Sequence, residues 1–121
     1  MKVLIVDDDR AMRELIKRIV SDLVDEICEC EDGGSALALY ANGHLHGGLP
    51  DWVLMDIRMR DVDGLTATER IIRSNPEAQI LIVTSYNDAS LREAAQKAGA
   101  RGFVLKENLL EIHRWLKPVD A

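Results

Sequence analysis

The chain has 121 residues and a mass of 13.5 kDa, with 47% apolar and 30% charged residues; this composition suits one soluble globular domain over residues 1–121 and argues against disorder. Fifteen basic against 21 acidic side chains leave a net charge of −6, which speaks against non-specific nucleic-acid binding by this domain and against docking on an anionic membrane. No apolar run approaches the roughly 20 residues of a membrane span, and the opening MKVLIVDDD lacks the long apolar stretch of a signal peptide, so a cytoplasmic location is expected.

In chain order, short apolar runs fall at Val3–Val6, Ile27–Cys30, Trp52–Met55, Ile80–Val83 and Gly102–Leu105. They are continuous rather than alternating, as in strands buried on both faces. Between them lie helical patterns. Met12, Leu15, Ile16, Ile19, Val20 and Leu23 form one apolar stripe; Gly34–Ala41 and Asp63–Ser74 are weaker; Leu91, Ala94, Ala95 and Ala98 form another, with Gly99 as its stop. Leu109, Ile112, His113 and Leu116 make a last stripe that ends before Pro118. Cys28 and Cys30, two apart on an extended segment, point to one face. They read as small buried apolar residues, since pairing them with His44 and His46 matches no common zinc spacing. No functional reading attaches to the Gly47-Gly48-Leu49-Pro50 loop.

Five βα units imply an α/β fold, a doubly wound parallel sheet covered by helices on both faces. Its ligand site is expected at the carboxyl ends of the strands. Those ends carry Asp7-Asp8-Asp9 on the first strand, Asp56 on the third, Thr84-Ser85 on the fourth and Lys106 on the fifth. Each has a plain structural explanation when taken alone: a helix cap, a loop acid, a strand residue, a solvated lysine. Together they bring several carboxylates into one crevice, where they repel unless neutralised. A hard divalent cation such as Mg²⁺ does this through oxygen ligands. Carboxylates, cation, ammonium and hydroxyl are the set that phosphoryl transfer to a carboxylate requires, and Asp56 is the natural acceptor.

VLIVDDD, DWVLMDIRMRDVDGL, LIVTS and AGARGFVLK together resemble the response-regulator receiver domain of two-component phosphorelays, over nearly the whole chain. The resemblance implies a flavodoxin-like five-stranded parallel sheet, order 2-1-3-4-5. It implies a signalling switch that catalyses its own aspartyl phosphorylation and dephosphorylation. It places Mg²⁺ on Asp7, Asp8, Asp56 and the backbone carbonyl of Arg58, with Asp56 taking a phosphoryl group from a phosphohistidine on a sensor histidine kinase or phosphotransfer protein. Thr84 and Lys106 would hold that group. Phe103 would be the switch aromatic, or simply a core ring of the fifth strand. The fourth helix, fifth strand and fifth helix would meet a downstream protein or effector domain, and phosphorylation could drive homodimerisation. Arg58 and Tyr86 occupy positions that line water access. Two departures stand out. Arg60 and Glu107 replace prolines common in the family, so the bond after Lys106 should be trans.

Two other readings remain open at this stage. A haloacid-dehalogenase-like phosphatase would use Asp7-x-Asp9 as its nucleophile motif, but leaves Asp56 without a role. A receiver-like binding module would accept no phosphate at all.

Overall fold

The structure is a computed structural model that describes residues 1–42 and 48–117. His44, His46, Gly47 and Pro118, which entered the sequence reading, lie outside the described residues. Strands β1 (Lys2–Val6), β2 (Glu26–Cys30), β3 (Trp52–Met55), β4 (Ile80–Thr84) and β5 (Gly102–Leu105) form one parallel sheet in the order β2-β1-β3-β4-β5. They alternate with helices α1 (Arg10–Val20), α2 (Gly33–Asn42), α3 (Gly64–Ser74), α4 (Ala89–Ala98) and α5 (Ile112–Leu116).

The continuous apolar runs are explained by burial on both faces. Successive side chains of a strand point to opposite faces, so each run serves two cores. Val3, Ile5, Trp52, Leu54, Leu81, Val83 and Val104 pack with Ile16 and Val20 of α1 and with Ile112 and Leu116 of α5. Leu4, Val6, Val53, Met55, Ile80 and Ile82 pack on the other face with Ala36 of α2, Ala67 and Ile71 of α3, and Ala95 of α4. Each large apolar side chain fully removed from water contributes about 1.5–3 kcal/mol, and these two layers hold the strand ends in place.

Helix starts are set by acids. Asp9, Asp63 and Asp88 cap α1, α3 and α4, accepting from two, one and two backbone N–H groups of the first turn respectively. Gly99 closes α4 at φ 103°, as the sequence predicts. Cys28 and Cys30 both lie in the layer of α2, α3 and α4, and burial pushes the Cys30 thiol up to about 11. That is the behaviour of small apolar residues.

Two expectations need correction. The first apolar stripe includes Leu23, yet α1 ends at Val20 and Leu23 sits in a turn that donates to the Val20 carbonyl. The last stripe is not one helix. Lys106–Glu111 is a 3-10 segment broken at Asn108 (φ −127°, ψ 45°), and only Ile112–Leu116 is α-helical. Leu109, Ile112 and Leu116 are still buried, because a three-residue step satisfies either helix type.

Candidate functional site

β1 has β2 on one side and β3 on the other, so the topological switch point lies between β1 and β3. Asp7 and Asp56 are the residues that leave those two strands. Asp7 extends the ladder by donating its N–H to the Cys30 carbonyl, and Asp56 does so by donating to Val6. Both side chains are therefore fixed by sheet geometry, and both residues are buried, at 1% and 6% exposure.

The Asp7 carboxylate accepts from the Asp9 N–H at 2.9 Å and lies 2.8 Å from the Lys106 ammonium. Asp56 accepts from the Ile57 N–H at 2.9 Å on one oxygen, and its other oxygen is 3.4 Å from the same ammonium. Lys106 follows β5 directly, so two strands separate it from β1 in the sheet. Asp8 is exposed, and a carboxylate oxygen from each of Asp7, Asp8 and Asp56 lies within 4.8 Å of the others. Burial, then the charge of Asp7, pushes the Asp56 carboxyl up to about 6, against the pull of Lys106. Burial would lower Lys106, but its hydrogen bond to Asp7 and the charges of Asp56 and Asp7 outweigh this and hold it above its ordinary value. One ammonium faces three carboxyl groups. That imbalance, with oxygen donors converging at this spacing, fits a hard divalent cation.

The loop after Asp56 depends on one glycine. Gly64 donates to the Ile57 carbonyl at 2.8 Å, and a Cβ there would lie 1.8 Å from the Asp56 carbonyl oxygen. Gly64 thus lets α3 begin against the backbone of Asp56. The loop closes in this way with Arg60 in place of proline, and among the described residues no peptide bond is cis, the Lys106–Glu107 bond included.

The remaining residues group differently. Thr84 ends β4 and is fully buried; its hydroxyl accepts from the Tyr86 N–H at 3.3 Å. Tyr86 in turn lies under Arg58, whose guanidinium carbon is 4.1 Å from the ring centre. Phe103 packs, partly buried, on the layer of α2, α3 and α4, with the Arg92 guanidinium 4.5 Å over its ring. Asp9 is committed to the α1 cap through Ala11 and Met12, so Asp7-x-Asp9 is not a pair of free acids. Sequence reasoning passed over Arg13. It is 8% exposed and donates to the Asp7 carbonyl at 2.7 Å. The available signal was its spacing, three before Ile16 and seven before Val20, which places it on the buried face of α1.

Fold and site together define a flavodoxin-like α/β domain with a polar, acid-rich crevice at the switch point of its sheet. The chain belongs to the response regulator receiver domain family, whose profile matches residues 3–116. It is 36% identical over 107 residues to the chemotaxis protein CheY of Listeria monocytogenes, covering 88% of this chain and 86% of that protein. It is 33% identical over 109 residues to the transcriptional regulatory protein DegU of Brevibacillus brevis, covering 88% of this chain but 44% of that protein. The chain therefore spans less than half the length of some curated relatives. A two-component response regulator of the LuxR family from Aurantimonas superposes with a TM-score of 0.81 at 29% identity, over 93% of this chain and 79% of that one. Receiver domains are signalling switches. Among the described residues no helix is long and apolar enough to cross a membrane.

Proposed function

We propose that this domain is a phosphoaccepting switch in which Asp56 receives the phosphoryl group. The observation that carries this reading is the sharing of one partly buried ammonium, Lys106, by the buried Asp7 and Asp56 at the sheet's switch point. In the transfer, the P–N bond of a phosphohistidine breaks as a P–O bond to Asp56 forms, and the imidazole leaves with the electron pair. When the switch resets, water attacks phosphorus as the P–O bond to Asp56 breaks, the carboxylate leaves with the electron pair and inorganic phosphate is released. The Ile57 N–H holds one oxygen of Asp56 and so fixes the plane of the acceptor. Lys106 pairs with the transferred group and the Thr84 hydroxyl donates to it, which places positive charge and a donor where negative charge collects. Asp7, Asp8, Asp56 and the Arg58 carbonyl would hold Mg²⁺, which would supply positive charge to the phosphoryl group.

The donor is a sensor histidine kinase or phosphotransfer protein. The output face is formed by α4, β5 and α5, with Phe103 as the switch aromatic. It engages a downstream protein, an effector domain or a second copy of the chain. The domain acts in the cytoplasm, and binds neither nucleic acid nor membrane itself. The stacked Arg58 and Tyr86 side chains restrict the path of water and lengthen the phosphorylated lifetime.

Intact mass after incubation with acetyl phosphate and Mg²⁺ tests the reading. A single phosphoryl adduct is expected on the wild-type chain, absent in Asp56→Ala and absent with chelator. Followed over time, the adduct is expected to decay faster in Arg58→Ala and Tyr86→Ala. An adduct that survives Asp56→Ala but vanishes in Asp7→Ala would assign the protein to phosphatase-like chemistry. No adduct on the wild-type chain would leave a binding module.

A further inference from the structure

Among the described residues, Arg13 is the most deeply buried basic side chain outside the crevice, 8% exposed on the inner face of α1 beside Ile16 and Val20. Burial of a guanidinium is tolerated only when its donors are used. Here Nη1 donates to the Asp7 carbonyl at 2.7 Å, Nε donates to Glu29 at 3.0 Å, and Nη2 lies 3.9 Å from Glu31. The other oxygen of Glu29 is taken by Lys17 at 3.0 Å, so Glu29 is held from a second side. A planar fork held at its acidic end has little freedom at the other.

What it holds is the peptide that joins Asp7 to Asp8. Two of the three acids at the crevice hang from that one peptide. The Asp7 carboxylate has its own anchors in the Asp9 N–H and Lys106. The exposed Asp8 carboxylate makes no hydrogen bond or ion pair among the described residues, so the backbone alone fixes the point and vector from which that side chain starts. Turning the Asp7–Asp8 peptide would leave Asp7 tethered and carry Asp8 away from the other two acids.

We propose that Arg13 is a positioning residue for the cation site, which fixes Asp8 by holding the Asp7 carbonyl against the acids of β2 and the residue just past it. The proposal rests on the reading that Asp7, Asp8 and Asp56 bind a divalent cation. Arg13 itself touches neither cation nor phosphoryl group. An alanine at this position leaves room for water. Water can satisfy the carbonyl but does not fix its direction, so cation affinity and folding stability should respond separately.

The test is calorimetric titration of the full chain with Mg²⁺ for wild type, Arg13→Ala, Arg13→Lys and Glu29→Gln. Each is paired with a denaturation curve and the amide resonance of Asp8. Arg13→Ala is expected to weaken Mg²⁺ binding by about tenfold or more, the usual scale for loss of a group that orients a ligand. Arg13→Lys, with one point of donation, should recover part of this. Glu29→Gln, which leaves the arginine in place but loosens it, should give a smaller loss in the same direction, and the Asp8 amide should shift in the same order. Glu29→Gln keeps the proposal testable if Arg13→Ala does not fold. Unchanged affinities with lowered unfolding midpoints would make Arg13 a packing residue and overturn the proposal alone. A wild-type chain that takes up no Mg²⁺ would overturn the cation-site reading and this proposal with it.

Discussion

The middle of the sheet and its carboxyl edge are built from the same strands by opposite rules. In the middle, Leu4, Ile5, Val53, Leu54, Leu81 and Ile82 are at most 1% exposed and wholly apolar. One or two residues further on, burial is almost as complete, but the side chains are Asp7, Asp56 and Thr84, with Lys106 nearby. The first region gains stability from burial. The second gives some of it up, because carboxyl groups removed from water resist ionisation. The contrast teaches that the acidic crevice is not a stabilising feature of the fold. It is held in an unfavourable state by the apolar layers beneath it, and this leaves it ready to take up positive charge.

Mutations on the two sides should therefore act for different reasons, and removal of the Asp56 charge should act with the opposite sign. Leu54→Ala removes a buried side chain from the layer under α1 and α5 and should lower unfolding free energy by roughly 3–4 kcal/mol in denaturant titration. A loss below about 1 kcal/mol there would mean that the layer repacks freely. At the edge, Lys106→Met takes away the ammonium that Asp7 and Asp56 share. It should destabilise by roughly 2–4 kcal/mol, short of a fully unpaired buried ion because Asp56 can take up a proton. A neutral outcome would show that the two acids are not held in repulsion.

The apolar runs and strand-end residues carry most of the fold and site in plain view. Runs such as WVLM coincide with β3, because a strand buried on both faces has no competing pattern. Asp7, Asp56, Thr84 and Lys106 are legible because parallel topology collects strand ends at one edge. The break at Asn108 was not legible, since Leu109 and Ile112 are spaced alike in a 3-10 turn and an α-helix. The anchoring role of Arg13 was hidden for another reason: it depends on Glu29 across α1 and β2, a pairing that no local window contains. The stacking of Arg58 on Tyr86 likewise joins two loops that meet only in the folded chain.

The smallest of the expected effects tests the contrast most directly. Asp56 sits at about 6, raised by burial from an ordinary 3.8. Between those values the folded chain binds more protons than the unfolded chain, so its stability falls as pH rises through that window. Denaturant titrations of wild type and Asp56→Asn, without Mg²⁺ and across pH 4 to 7.5, isolate this contribution. The account predicts near-equal stability at the acid end and a variant more stable by about 1–3 kcal/mol at the neutral end. Added Mg²⁺ should narrow the gap. A difference that does not change with pH, or a wild-type chain more stable than the variant at neutral pH, would contradict the claim that the edge holds its charge against the fold.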